Sequence, residues 1–407
     1  MNNRKLKIKN FIIIPLLLFV LMGCKEEGRI DHIDGSAPAP APIDAMSVNV
    51  RKTPGGAVLK YKLPEDISNL LYVRADYEIQ SGVKRQTKAS CYEDSLVLDG
   101  FGDTRTYDVL LYSIGKNEKS SKPVIVQVEP GVAPVYLATA LLKEAFGGVA
   151  VVIENPEKAA LAIELMGDTA KLGYQSRLAT YYTSKEKANF TFRGLDTIQG
   201  DFSVYMRDRW NNMSETETAT LTPWYEEFIP KDKWNADPPF PLPGDRAASA
   251  AAYQISNIWN GNITTESMYN AAIGGTMPIW ITWDLGVTIV MSRFTYWYSP
   301  NRTPFAEYSL KEFELYGSTN PNLDGSWDSW TKLGKFECLR PSGLNINTAE
   351  DEAFARAGFE FELEETDVIK PFVPVRYIRL KGLSNFFPSG VGAMMIQEIS
   401  IWGLIQE

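Results

Sequence analysis

The chain has 407 residues and a formal net charge of −9 at pH 7. This length predicts two or three domains, and the negative charge argues against nucleic acid as a partner because phosphate backbones would be repelled. The single histidine is His32, so the folded part lacks the imidazole that Ser-His or Cys-His nucleophiles and His-ligated zinc require. The 50 acidic residues leave carboxylate catalysis open, but no pair stands in a recognisable setting, so we expect no enzyme.

Residues 1–23 have the organisation of a signal peptide. Four basic residues precede an apolar run at 11–22 that is too short to span a bilayer comfortably. The run ends in Leu21-Met22-Gly23-Cys24, which resembles the lipobox of bacterial lipoproteins. The resemblance implies cleavage before Cys24, lipidation of its thiol, and membrane attachment through that lipid alone. The alternative is an ordinary signal peptide followed by a chance cysteine.

Residues 24–42 form the predicted tether. Lys25-Glu26-Glu27 resembles the surface-export signal of Bacteroidetes lipoproteins, which implies an outer-membrane protein that faces the extracellular side. The alternative is a solvated charged segment with no signalling role. Alternating Ala and Pro at 37–42 predict a stiff, extended spacer.

The chain after the tether contains an internal repeat of short segments separated by turn residues, which is typical of an all-β protein. Gly55-Gly56-Ala57-Val58-Leu59 has a counterpart in Gly147-Gly148-Val149-Ala150-Val151, at an offset of 92 residues. A second matching pair, 107–112 and 202–207, has an offset of 95. Near-constant spacing predicts two copies of one domain.

Each copy resembles a fibronectin type III sandwich, at 43–130 and 131–223. The resemblance rests on Leu96, Leu98, Tyr107 and the Asn212-Met213-Ser214 turn. An immunoglobulin-like sandwich would read almost the same, and either module is expected to act as a spacer. Residues 137–145 fit either a strand or one to two turns of helix.

Residues 224–244 are dense in proline and aromatic residues, and we interpret them as a linker that packs on a neighbouring domain. Residues 245–407 are then expected to fold alone as a complete domain. Cys91 and Cys338 lie far apart in different predicted domains, so we expect no disulfide.

Residues 245–407 resemble a discoidin, or coagulation-factor type C, domain. Four segments in the expected order carry the resemblance: 280–286 with its Asp-Leu-Gly, 313–318, 376–380 and 396–403. The resemblance implies a barrel-like β-sandwich of jelly-roll type. The predicted fold class is therefore all-β, with two tandem fibronectin type III-like sandwiches followed by a discoidin-like domain.

The whole arrangement is similar to Bacteroidetes polysaccharide-utilisation surface lipoproteins. That similarity implies a non-catalytic protein that binds glycan and assists capture and uptake, beside an outer-membrane importer and glycosidases. Two other functions remain open: an adhesion or scaffold protein that binds another protein at its aromatic linker and barrel end, and a carboxylate glycosidase.

A sugar site needs an aromatic face for the apolar side of the ring and planar groups for paired hydroxyls. In the resembled fold, ligands bind to loops at one end of the barrel. The candidate ligand-binding residues in those loops are Asn301, Arg302, Phe305, Tyr308, Asn385, Phe386, Phe387, Met268 and Tyr269. For Phe386 and Phe387 the alternative is a hydrophobic plug that closes the barrel end.

Discoidin-like domains often bind structural calcium, although no cofactor is required for the function expected here. The resemblance places the corresponding ligands at Asn260, Asn262 and Glu398. Asn260 stands where an aspartate is usual, which removes one formal charge and weakens the expected site.

Overall fold

The computed structural model describes residues 34–169, 173–363 and 373–406. The signal peptide, Cys24 and residues 25–27 lie outside the described residues, so the predictions of cleavage, lipidation and export stay predictions. The chain divides into two compact units, Met1–Ala133 and Pro134–Glu407. Within the described ranges, no helix combines the length and the apolar character needed to cross a membrane. The protein is all-β, as predicted.

The first unit contains one β-sandwich. Its strands are β1 (Asn49–Thr53), β2 (Gly56–Lys60), β3 (Leu70–Gln80), β4 (Val83–Ser90), β5 (Ser95–Asp99), β6 (Tyr107–Gly115) and β7 (Val124–Val128). The order β1-β2-β5 forms one antiparallel sheet and β4-β3-β6-β7 the other. Alternate residues such as Leu59, Leu98 and Val109 are fully buried, so the two sheets face one another across an apolar core.

The second unit begins with a sandwich of the same design. Its strands are β8 (Thr139–Ala145), β9 (Gly148–Glu154), β10 (Leu161–Gly167), β11 (Ser176–Thr183), β12 (Lys187–Arg193), β13 (Gly200–Arg207) and β14 (Glu217–Leu221). They form sheets in the order β12-β9-β8 and β11-β10-β13-β14. The helical alternative for 137–145 is wrong, because β8 pairs with β9 along its whole length.

The repeated glycine pair has the same structural role in both sandwiches. Gly55 and Gly147 adopt φ values of 62° and 67°, which glycine tolerates best. A Cβ on Gly56 would lie 2.1 Å from the carbonyl oxygen of Leu98, and one on Gly148 would lie 1.7 Å from that of Phe192. Close backbone approach therefore explains why the sequence repeat begins with two glycines.

The rest of the second unit is a larger sandwich, the C-terminal domain. Its elements are β15 (Glu227–Phe228), β16 (Tyr269–Asn270), β17 (Ile279–Trp297), β18 (Leu310–Ser318), β19 (Thr331–Glu337), α1 (Ala349–Ala357), β20 (Phe359–Glu362), β21 (Pro374–Asn385), β22 (Met395–Ile396) and β23 (Glu398–Ile405). The main sheet runs β15-β23-β17-β21-β18-β19, with β20 also paired to β17. Strands β16 and β22 form a separate pair.

The predicted linker is part of this domain, so the boundary at residue 245 is wrong. β15 pairs with β23 and extends the main sheet. Four apolar side chains from the segment are buried: Ile229, Trp234, Phe240 and Leu242. Trp234 packs beside the core residue Trp283, with ring centroids 6.5 Å apart. The segment packs on the C-terminal domain as one of its structural elements.

Candidate functional site

The loops predicted to bind ligand lie at one end of the C-terminal domain. Trp297 at the end of β17 pairs with Glu398 at the start of β23. Leu310 at the start of β18 pairs with Asn385 at the end of β21. Loops 298–309 and 386–394 lie against one another, because the N–H of Phe386 donates to the carbonyl of Ser309 and the N–H of Met395 donates to the carbonyl of Tyr308.

Phe305 and Phe386 close the barrel end from within. The Phe305 side chain is 4% exposed, and its ring lies 5.7 Å from that of Phe386 and 5.7 Å from that of Phe359. Phe386 is partly buried and packs against the main core. The plug interpretation therefore describes these two rings, and the prediction that Phe305 forms part of an exposed binding face is wrong.

Phe387 is exposed in these loops and packs beside the half-buried ring of Tyr308. Phe387 is 38% exposed, and its ring centroid lies 5.2 Å from that of Tyr308, with 40° between the ring planes. The backbone holds both residues in place, because Tyr308 accepts a hydrogen bond from Met395 and Phe387 accepts one from Gly390. The adjacent phenylalanines thus point to different environments, one to the core and one to solvent.

Arg302 brings a planar charged group to the same loops. Its guanidinium lies 3.2 Å from the Glu266 carboxylate and 3.7 Å from that of Glu307, with 39% of the side chain exposed. Its Nε–H has no hydrogen-bond partner among the described residues. Asn301 is exposed beside it. The arrangement offers hydrogen-bond donors and acceptors for paired hydroxyl groups.

The backbone of this loop is unusual for the residues it contains. Phe305 and Glu307 have φ values of 54° and 51°, in the left-handed region that bulky side chains rarely adopt. Such strain persists only where the surroundings enforce it, and it is often found at functional sites.

Asn385 supports the loop from inside. The residue is 8% exposed, and its amide Nδ2 donates hydrogen bonds to the carbonyls of Val391 and Ala393 at 3.0 and 2.8 Å. Its Oδ1 accepts a bond from the N–H of Phe387. The structure therefore places Asn385 as a residue that positions Phe387, and not at the exposed surface where we expected it.

Met268 and Tyr269 do not complete the rim. They are 0% and 1% exposed, and the Tyr269 hydroxyl donates to the carbonyl of Arg246 at 2.6 Å. Both neighbours are buried, and Glu266 from the same segment reaches Arg302 instead.

Arg340 is a residue of this end that the sequence analysis missed. Its guanidinium carbon lies 4.9 Å from the ring centroid of Phe305 and 5.5 Å from that of Phe386. Its Nη2 donates to the carbonyl of Phe305, and its Nε to the amide oxygen of Asn347. The loop Arg340-Pro341-Ser342-Gly343 after β19 was the available signal, because it leaves the same end of the sheet.

The predicted calcium ligands are engaged by protein groups. Glu398 is 1% exposed and forms an ion pair with Lys231. The side-chain oxygen of Asn260 accepts the N–H of Asn262, and that of Asn262 accepts the N–H of Thr265. Within the described parts of the chain, no cluster of three or more His, Cys, Asp or Glu side chains could hold a metal ion.

A second aromatic cluster, built around Arg379 on β21, is buried and structural. The guanidinium is 0% exposed and lies 4.6 Å from the Trp327 ring and 4.4 Å from the Trp330 ring. It donates to Thr282 and to the carbonyl of Gly325. Because Phe240 and Leu242 pack against Trp330, this cluster is covered by the chain itself.

Asp245 lies beside Arg379 in that cluster, and we expect its carboxyl to make the free energy of unfolding depend on pH. Burial raises the pKa of its carboxyl to about 6, against the opposing effects of Thr282, the Leu242 N–H and Arg379. Because the pKa in the folded state exceeds the ordinary 3.8, folding is favoured while the group is protonated. This contribution is complete at a pH well below 3.8 and is lost as the pH rises through about 6.

We therefore expect the free energy of unfolding of the wild type to fall by about 3 kcal/mol relative to Asp245→Asn between about pH 3 and pH 7. Urea denaturation of both proteins across this range measures the difference. Parallel curves for the two proteins would contradict the shifted pKa.

This chain is similar to a solved SusE-like protein, and the match covers almost the whole length of that solved protein. The two are 32% identical, and the match covers 66% of this chain and 97% of that protein, with a TM-score of 0.42. The chain belongs to the SusE-like family. Three domain-family profiles also match this SusE-like chain, at residues 40–130, 129–232 and 259–403, and all three are described as domains of unknown function.

Two other solved structures resemble the SusE-like chain over less than half of its length. A family 32 carbohydrate-binding module from a Clostridium perfringens family 31 glycoside hydrolase is 14% identical and covers 43% of the chain and 94% of the module, with a TM-score of 0.31. The C-terminal domain of a Bacteroides fragilis chitobiase is 15% identical and covers 44% of the chain and 100% of the domain, with a TM-score of 0.30. A search of curated proteins gives no significant match.

Proposed function

We propose that this SusE-like protein is a non-catalytic surface lipoprotein that holds glycan at the loop end of its C-terminal domain. One observation carries the proposal: the exposed ring of Phe387 and the half-buried ring of Tyr308 beside it belong to the same loop cluster as the half-exposed guanidinium of Arg302. An aromatic face suits the apolar side of a sugar ring, and planar donors suit its hydroxyls. Membership of the SusE-like family supports this function.

The proposed role in the cell follows from the same family. The protein would be anchored in the outer membrane through Cys24, face the extracellular side, and assist polysaccharide capture beside an importer and glycosidases. The two N-terminal sandwiches, which resemble fibronectin type III domains, would act as spacers between the lipid and the glycan site. Weak single sites would gain avidity from display of many copies on one surface.

The protein-binding alternative loses one of its supports. It relied on the aromatic linker, yet Trp234 and Phe240 of that segment are 5% and 7% exposed and pack inside the domain. Those rings are therefore committed to the fold and are not available to a partner.

The test is binding of the intact protein to the best polysaccharide from a glycan array, measured by titration calorimetry. We expect Tyr308→Ala and Phe387→Ala each to weaken binding roughly tenfold, which corresponds to about 1.4 kcal/mol of stacking contact. Arg302→Lys should weaken it as well, because lysine keeps the charge but loses the planar pair of donors. All three variants should keep the thermal unfolding midpoint of the wild type.

Tyr225→Ala is the matched control, since Tyr225 is 52% exposed and lies away from these loops in the sequence. If Phe387→Ala and Tyr308→Ala bind as Tyr225→Ala does, the glycan site lies elsewhere. Release of reducing sugar from the polysaccharide by the wild type would contradict the non-catalytic assignment.

A further inference from the structure

Glu398 is a buried carboxylate that needs a positive partner. It begins β23, and its side chain is 1% exposed. Moving an ionised carboxylate out of water is costly unless a cation and hydrogen bonds compensate it. The resemblance to a discoidin domain predicts that calcium supplies this positive charge. The groups that surround Glu398 in the structure show which cation is present instead.

Lys231 supplies a positive charge at this carboxylate. Its ammonium forms an ion pair with Glu398 and donates to the Ser400 hydroxyl at 2.9 Å. The ammonium nitrogen also lies 5.7 Å from the ring centroid of Phe228 and 5.8 Å from that of Trp234. With 14% of the side chain exposed, Lys231 is enclosed on several sides by groups that favour a cation.

The oxygens of the neighbouring loop are already occupied by N–H donors. Gln397 donates its amide hydrogens to the carbonyls of Asn262 and Thr265 at 2.7 and 2.8 Å. The second oxygen of Glu398 accepts the N–H of Gly261 at 3.2 Å. Calcium takes six to eight oxygen ligands. Here the loop carbonyls accept hydrogen bonds from an amide, and the one carboxylate is paired with lysine. This arrangement does not offer the six to eight oxygen ligands that calcium takes.

The cost of burial makes the two charges depend on one another. Burial raises the pKa of the Glu398 carboxyl and lowers the pKa of the Lys231 ammonium, while their mutual attraction opposes both changes. Removal of either partner would leave the other charge buried without compensation.

We propose that the Lys231 ammonium permanently takes the place of a structural calcium ion in this domain. The cation is thereby covalently part of the chain, on the segment that also contributes β15. The same contact fixes the Pro-rich segment to β23 and makes the stability of the domain independent of divalent cations.

The test uses the full-length protein and its intrinsic tryptophan fluorescence, because all ten tryptophans lie at position 210 or later and report on the second unit. The unfolding midpoint of the wild type should be the same in EDTA and in millimolar calcium. Lys231→Met, which keeps the length of the side chain, should lower the midpoint by roughly 10 °C. Lys231→Met combined with Glu398→Gln should recover much of that loss, because no buried charge remains unpaired.

Lys233→Met is the control, since Lys233 is exposed on the same segment. A rise of the wild-type midpoint with calcium, or a fall in EDTA, would overturn the proposal by showing that a metal ion binds. A Lys231→Met midpoint equal to that of Lys233→Met would overturn it too. Failure of Glu398→Gln to rescue Lys231→Met would show that lysine packing, and not compensation of charge, is what matters.

Discussion

A fragment of residues 245–407 is expected not to fold, whereas the fragment 134–407 is expected to unfold cooperatively. The shorter fragment lacks β15 and leaves Trp402 and Gly403 of β23 without their strand partners. It also lacks Ile229, which is fully buried, and Trp234, which packs beside Trp283.

The magnitude of the loss follows from the four apolar side chains of residues 224–244 that the structure buries. Full burial of a large apolar side chain contributes about 1.5–3 kcal/mol, so four contribute roughly 6–12 kcal/mol. This equals most of the net stability of a typical domain, about 5–15 kcal/mol. The same truncation removes Lys231 and leaves Glu398 buried without a cation.

Far-ultraviolet circular dichroism and thermal melting of the two fragments measure the effect. The fragment 134–407 is the matched control because it corresponds to the whole second compact unit. A cooperative melt of the fragment 245–407 near the midpoint of the longer one would show that the segment 224–244 is a separable linker after all.

The sequence predicted the architecture because that information is local and periodic. The glycine pairs at an offset of 92 residues identified two sandwiches, and Gly56 and Gly148 do occupy equivalent close contacts. The Asp-Leu-Gly segment at 280–286, which helped to predict the C-terminal sandwich, lies within β17.

The candidate site was predicted less well, because side-chain direction in loops is set by distant contacts. Nothing local distinguishes Phe386 from Phe387, and only the packing of Phe386 against Phe305 separates plug from surface. In the same way, Lys231 and Glu398 are 167 residues apart, so their ion pair leaves no signal in either segment.

Replacement of Glu226 by alanine is expected to destabilise the second unit by about 3–5 kcal/mol, the cost of leaving a buried charge without its partner. The Glu226 side chain is 7% exposed and joins the second sandwich to the C-terminal domain. Its Oε1 lies 3.1 Å from Nη1 of Arg193 on β12 and 3.2 Å from Nε of Arg293 on β17. It also accepts the Ser292 hydroxyl at 2.6 Å.

Two arginines that meet at one carboxylate explain why the effect should be large. Arg193 and Arg293 are 16% and 14% exposed, so neither can turn to solvent freely when Glu226 is lost. Arg193 keeps Glu362 at 2.9 Å, and Arg293 keeps Glu360 at 3.2 Å. These remaining ion pairs limit the loss of stability. They do not remove the repulsion between the two guanidinium groups, which lie close together once the Glu226 carboxylate between them is gone.

The free energy of unfolding from urea titration, followed by tryptophan fluorescence, measures the change. Glu217→Ala on β14 is the control, since Glu217 is exposed and its loss should change stability by less than about 0.5 kcal/mol. Glu226→Gln should fall between the two, because glutamine can still accept the Ser292 hydroxyl but carries no charge. If Glu226→Ala and Glu217→Ala unfold alike, the two domains of the unit are held together by their apolar contacts, and the ion pairs contribute nothing measurable.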